Sequence, residues 1–163
     1  MGKHKFYEGI WHFKHVRNGK ILWEKDIQNA LVDEGEKNML NTYFRSTNAP
    51  TTFYLRLCYD TISVTDSLSD VQNEPSGNGY LPLEIERSAV GFPTIELNEG
   101  DYRVTSKEVS WVASGGEIGP VNCAYLATTS NNTGKLIAFV SLAMERTVLD
   151  GDTMYAQFRV KLK

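Results

Sequence analysis

The sequence predicts a mainly β fold: a β-sandwich or jelly-roll-like domain with one short helix near residues 33–45 and an N-terminal β-hairpin. Three observations carry this. Asn18-Gly19 stands between two strand-like runs, the strongest short-range signal for a hairpin. Alternation of apolar and polar residues recurs, most clearly over 153–162. Turns rich in Gly, Asn and Asp then punctuate the chain at close intervals from residue 98 onward.

The elements follow in order. The first hairpin pairs about Lys5–His15 with Lys20–Lys25, and its aromatics (Phe6, Tyr7, Trp11, Phe13, Trp23) suit a pleated, half-buried surface. The helix comes next. Asp33 is placed to act as N-cap, with Glu36 three residues on as in a capping box. Glu34 and Glu36 also suit the positive end of the helix dipole. Met39, Leu40, Tyr43 and Phe44 form one apolar stripe, and Ser46-Thr47-Asn48-Ala49-Pro50 ends the helix. Phe53, Leu55, Leu57 and Tyr59 alternate along a central strand. Residues 60–80 form a long polar connection, functional or mobile, with a short helical turn at Ser67–Val71. Further strands are expected at 81–88, 92–97, 102–113, 119–128, 135–142 and 153–162. The turns between them include Asn98-Glu99-Gly100-Asp101, Asn131-Asn132-Thr133-Gly134 and Asp150-Gly151-Asp152. No linker divides residues 1–163, which read as one domain.

Composition bounds the function. A chain of 163 residues with 41% hydrophobic and 23% charged residues is ordinary for a globular domain. It buries enough surface to need no disulfide or metal. No signal peptide or membrane-spanning run is read in it, and Cys58 and Cys123 are expected as buried free thiols. The net charge of −3 is unevenly spread: residues 1–25 hold six Lys or Arg against two Glu, while the remainder is acidic. The basic segment suits docking on an acidic partner or, equally, a solvated strand face. The overall acidity argues against nucleic acid.

No motif carries catalysis. His12 and His15 lie an odd number of residues apart on one strand, so they point to opposite faces and do not share a metal. Glu84 and Glu86 share one face of a strand, as paired glycosidase carboxylates would, but a solvated outer face explains them more simply. Asp150-Gly151-Asp152 lacks the successive ligands of a calcium loop and reads as a hairpin turn. No nucleophile elbow, phosphate loop or dinucleotide fingerprint occurs, and no cofactor is expected. Trp11, Trp23 and Trp111 leave a carbohydrate-binding face open, although strand aromatics are more often core or interface.

A resemblance emerges from the order of these features. A basic hairpin precedes Asn29-Ala30-Leu31-Val32-Asp33-Glu34-Gly35 at the helix start. A Phe53-Tyr54-Leu55-Arg56-Leu57 strand, a Gly77-Asn78-Gly79-Tyr80 loop and Gly134-Lys135-Leu136-Ile137-Ala138 follow, and an Asp-Gly-Asp hairpin leads into the alternating final strand. The chain thereby resembles small virion structural proteins of tailed bacteriophages. The resemblance implies a non-enzymatic capsid decoration, or cement, protein located on the virion. Its implied partner is the major capsid protein, and its implied state is a homo-oligomer, with a trimer favoured. The alternative is a tail, baseplate or tail-fibre component, with carbohydrate binding as an option. Candidate docking residues are Lys3, Lys5, Phe6, Tyr7, Trp11, Lys14, Arg17 and Trp23 in segment 1–25, and Tyr80 in loop 72–80. No catalytic residues carry over.

Overall fold

A computed structural model describes residues 7–47 and 49–162. Lys3, Lys5 and Phe6 lie outside the described residues. Two antiparallel sheets face each other as a β-sandwich. The first runs β2 (Lys20–Gln28), β1 (Tyr7–Arg17), β11 (Thr153–Leu162), β7 (Asp101–Thr105), β6 (Thr94–Asn98), and β8 (Val109–Val112) also pairs with β11. The second runs β3 (Ala30–Leu31), β10 (Leu136–Val148), β9 (Ile118–Ala127), β4 (Thr52–Cys58), β5 (Leu83–Glu86). The helix α1 spans Asp33–Arg45.

Alternation decides the layers. Trp11, Phe13, Met154, Ala156 and Phe158 point inward from the first sheet and meet Leu55, Leu57, Ala124, Leu126, Val140 and Leu142 from the second. Trp11 sits edge-on to Phe158 with ring centroids 5.5 Å apart. The opposite parity of the second sheet buries Cys58, Cys123, Tyr125, Ala127 and Leu136 on its far face, under Val32, Ile62, Leu68 and Val71. The second sheet is thus covered on both sides, which is why β4 and β9 are almost continuously buried. Cys58 and Cys123 are register partners on neighbouring strands and carry free thiols.

Several expected boundaries move for identifiable reasons. The hairpin turn is as read: Asn18 and Gly19 have φ of 47° and 73°, the positive angles that a type I′ turn requires. The expected strand 102–113 is two strands, β7 and β8, broken at Ser106. Ser106 is buried and bridges the break: its N–H donates to the Phe158 carbonyl at 2.8 Å, and its Oγ accepts from the Phe158 N–H at 2.9 Å. One strand, β11, therefore serves two partners in succession, β8 over Thr153–Ala156 and β7 over Arg159–Lys161. The expected strand 135–142 extends to Val148 through an irregular register between Ser141 and Arg146, where Ala143 has φ of 65°. The expected strand 81–88 contracts to Leu83–Glu86, because the chain folds back sharply and brings Gly91 against the Glu86 backbone.

The helix covers the predicted residues but is capped and oriented differently. Val32 occupies the N-cap position, and Asp33 is the first helical residue, with no side-chain cap. Glu34 does the anchoring instead, accepting the backbone N–H groups of Leu68 at 3.0 Å and Leu136 at 2.8 Å. The buried point of the helix is Gly35, where a β-carbon would overlap the Ile137 carbonyl oxygen. The apolar stripe of Met39, Leu40, Tyr43 and Phe44 consequently faces outward.

The 60–80 connection is pinned along its length. Asp60 accepts from the backbone of Gln72 and Asn73. Buried Arg56 grips Glu74 through two nitrogens and also donates to Asn131 and Asn132. The expected helical turn is a 3-10 turn at Leu68–Asp70.

Candidate interaction face

The predicted docking residues separate into core and intramolecular partners. Trp11 is completely buried. Tyr80 is buried, stacked on Trp111 with centroids 6.4 Å apart, and its hydroxyl donates to Glu74 at 2.6 Å while accepting the Leu57 N–H at 3.0 Å. Burial pushes the Tyr80 hydroxyl far above the ordinary phenol range, and the neighbouring Glu74 carboxylate adds to this. These two residues hold this chain together and present no docking surface, which corrects their assignment. Tyr7 is half-buried. Burial pushes its hydroxyl up to about 12, against the smaller opposing effect of the Asn29 amide that donates to it.

Two of the basic side chains of the hairpin, Lys14 and Arg17, have acidic partners within the chain. Lys14 lies 3.6 Å from Glu108 and over the Tyr155 ring. Trp23 is covered by the Arg146 guanidinium, 4.1 Å from its ring centre. Arg17 donates from Nε and Nη2 to the two oxygens of Asp152, each at 2.8 Å, and His15 Nε2 stands 2.8 Å from the same carboxylate. Asp152 is buried, and the Arg17 hydrogen bonds hold its carboxyl at about 2, below the ordinary value of 3.8. On the other face of β1, His12 sits between Asp26 at 2.6 Å and Glu24 at 3.1 Å. The odd spacing of the two histidines separates them as expected.

Glu84 and Glu86 stand exposed on β5, the edge strand of the second sheet. Trp11 and Trp111 are in the core, while Trp23 is half-buried under the Arg146 guanidinium.

A feature missed in the sequence is the mouth of the sandwich. At the Tyr7 end of β1, residues of α1 and both sheets line an apolar groove of about 550 Å³. Leu126, Ile137 and Phe158 form its floor. Met39 and Tyr43 of α1 line it too, with Phe53 and Phe92 in edge-to-face contact and Ile95, Val104 and Val160 from the first sheet. Arg87 is the one charged side chain described in the lining. The available signal was the outward stripe of α1 together with the alternation Ile95, Leu97 and Tyr102, Val104. Both patterns ordinarily mean core, and neither reveals that these side chains stay exposed.

Among the described residues no helix is long and apolar enough to cross a membrane, and no three metal-ligating side chains converge. No curated protein matches the chain. A protein-family model, described as podophage GP4 fiber I protein gp80, matches residues 30–160. That range holds α1, the whole second sheet, β6 to β8 and nearly all of β11. The expected kinship with tailed-phage structural proteins stands, while the family's description concerns a fibre and not a capsid decoration protein. With most of its length matched, the chain belongs to the podophage GP4 fiber I protein gp80 family.

Proposed function

We propose that this chain is a non-enzymatic structural component of a podophage tail fibre, carried on the virion. The observation that carries the reading is the match of residues 30–160 to a family described by its fibre protein. The candidate docking segment of the capsid-decoration expectation, residues 1–25, lies outside the matched range. Within it, Lys14 and Arg17 are engaged by Glu108 and Asp152, so less cationic charge is free to meet an acidic shell. The fibre reading needs no reacting group. It needs a domain that keeps its shape and offers a surface to neighbours, and a doubly covered second sheet with an apolar mouth supplies both.

The test is gold labelling of intact virions with an antibody against an exposed turn, such as Asn98–Asp101. Label on the fibres at the tail is the expected result. Label distributed over the shell would overturn the fibre reading and restore decoration. Co-sedimentation of the purified chain with shells lacking it, saturating at a fixed ratio, would have the same meaning.

A further inference from the structure

We infer that Cys58 and Cys123 form a redox modification site: the two thiols join as a cross-strand disulfide in excess glutathione disulfide and part again in excess reduced glutathione. The chain has two cysteines, and the fold brings them face to face. They are register partners on β4 and β9, neighbours in the middle of the second sheet. Both side chains point to the far face of that sheet and lie in one buried cluster. The Cys58 thiol is hydrogen-bonded to Cys123, and the Cys123 thiol donates to the Ala124 carbonyl at 3.6 Å.

The backbone sets their spacing. The Leu57 N–H donates to the Tyr80 hydroxyl at 3.0 Å and the Tyr59 N–H to the Asn73 carbonyl at 2.8 Å, so both amides turn away from β9. Alternation along the strand then turns the Cys58 amide toward β9, which makes Cys58 and Cys123 a hydrogen-bonded pair in the ladder. Such pairs hold their α-carbons about 5.5 Å apart, within the range that a disulfide spans. Their β-carbons lie about 5 Å apart and must close to about 3.8 Å. The bond therefore forms against the geometry of the sheet, and a bond under that strain is the more easily reduced. The pair is built to open and close, unlike a permanent staple.

The chemistry is thiol–disulfide exchange. One cysteine thiolate attacks a sulfur of glutathione disulfide, forms a mixed disulfide and releases one glutathione thiolate. The second cysteine thiolate attacks the protein sulfur of that mixed disulfide and releases the other. Two electrons pass to glutathione disulfide, and the two protons given up by the cysteines end on the two glutathione molecules. Burial sets the rate. The hydrogen bond to Cys123, with desolvation beside it, pushes the Cys58 thiol far above the ordinary thiol range, so the closed fold resists attack. Val32, Ile62, Leu68 and Val71 cover the pair, and exchange waits for that cover to open locally. A chain made in the reducing interior of a cell and carried outside on a particle meets both redox conditions in turn. The pairing itself does not depend on whether the chain sits on the fibre or the shell.

The test incubates the full, reduced chain with excess glutathione disulfide, without denaturant and just below its melting transition. The reaction is stopped with acid, free thiols are alkylated in the unfolded chain, and the intact mass is read. The expected product has lost two hydrogens, carries no alkyl group and yields a peptide pair joining Cys58 to Cys123. Excess reduced glutathione should return two alkylatable thiols. The closed chain should melt about 5 °C higher than the reduced one. In Cys123→Ala the oxidant should produce no such rise, and an equal rise there would overturn the inference. A folded chain that keeps both thiols while its unfolded form oxidises overturns it too. So does a mixed disulfide that persists on one cysteine, or a cross-link between two chains, since either means that the two sulfurs do not reach each other. A closed bond that resists reduced glutathione would overturn its reversibility.

Discussion

The two ends of the sandwich are built on opposite principles. At the Arg17 end, a buried carboxylate is gripped by a guanidinium and an imidazole, and the turn Asp150-Gly151-Asp152 is locked to β1 across 135 positions of sequence. At the Tyr7 end of the same strand, aliphatic and aromatic side chains stand in the open with almost no polar ties. The first end is complete within one molecule. The second leaves apolar side chains exposed. The difference teaches that where a small sandwich stores its surplus apolar surface says more about its associations than where it stores its charge.

The largest effect should come from dismantling the closed end. Asp152→Ala removes the shared partner of Arg17 and His15, and its expected cost is about 3 kcal/mol, read as a fall in the urea midpoint. An unchanged midpoint would mean that the two ends do not differ in kind. Gly35→Ala should be next, at about 1–3 kcal/mol destabilising. Alanine ordinarily improves a helix by about 1 kcal/mol. Here its β-carbon meets the Ile137 backbone, and the clash outweighs propensity. A gain in melting temperature would sink this reading of how α1 is seated.

Acid should expose the closed end specifically. The Asp152 carboxyl is held at about 2, below its ordinary 3.8, so its ionised form is favoured by folding. Its stabilising contribution is present above the ordinary value and is lost as pH falls from there toward about 2. Asp152→Asn should therefore flatten that stretch of the stability profile, and a variant that tracks wild type would assign the acid loss elsewhere. The smallest effect belongs to the open end. Tyr43→Ser should alter the stability of the isolated chain by no more than about 0.5 kcal/mol. A larger loss would show that Tyr43 already supports the fold and blur the contrast.

Much of the fold was legible because local chemistry determines it. Asn18-Gly19 demanded positive φ at both positions, and the alternation of Met154 through Leu162 made β11 readable to the residue. The helix was legible in extent, since its acidic first turn and apolar stripe are local. Its orientation was not, because the buried point is a glycine whose role appears only when Ile137 lies across it. The burial of two docking candidates was not legible for a related reason. Aromatics at Trp11 and Tyr80 look the same in a sequence whether they face solvent or a second sheet. Ion pairs such as Arg17–Asp152 and Arg56–Glu74 join residues whose proximity no local pattern encodes. The kinship with phage structural proteins was readable from motif order, but motif order did not separate shell from fibre.

Ser106 has one more consequence. By replacing a missing rung of the ladder with its own hydroxyl, it lets the β6–β7 hairpin hang from β11 by a short register while β8 keeps the core covered. The Asn98-Glu99-Gly100-Asp101 tip is then held back to β11 through buried Lys161, whose ammonium lies 3.3 Å from Glu99 and 3.8 Å from Asp101, so one lysine ties the far end of the hairpin to the strand that carries both β7 and β8.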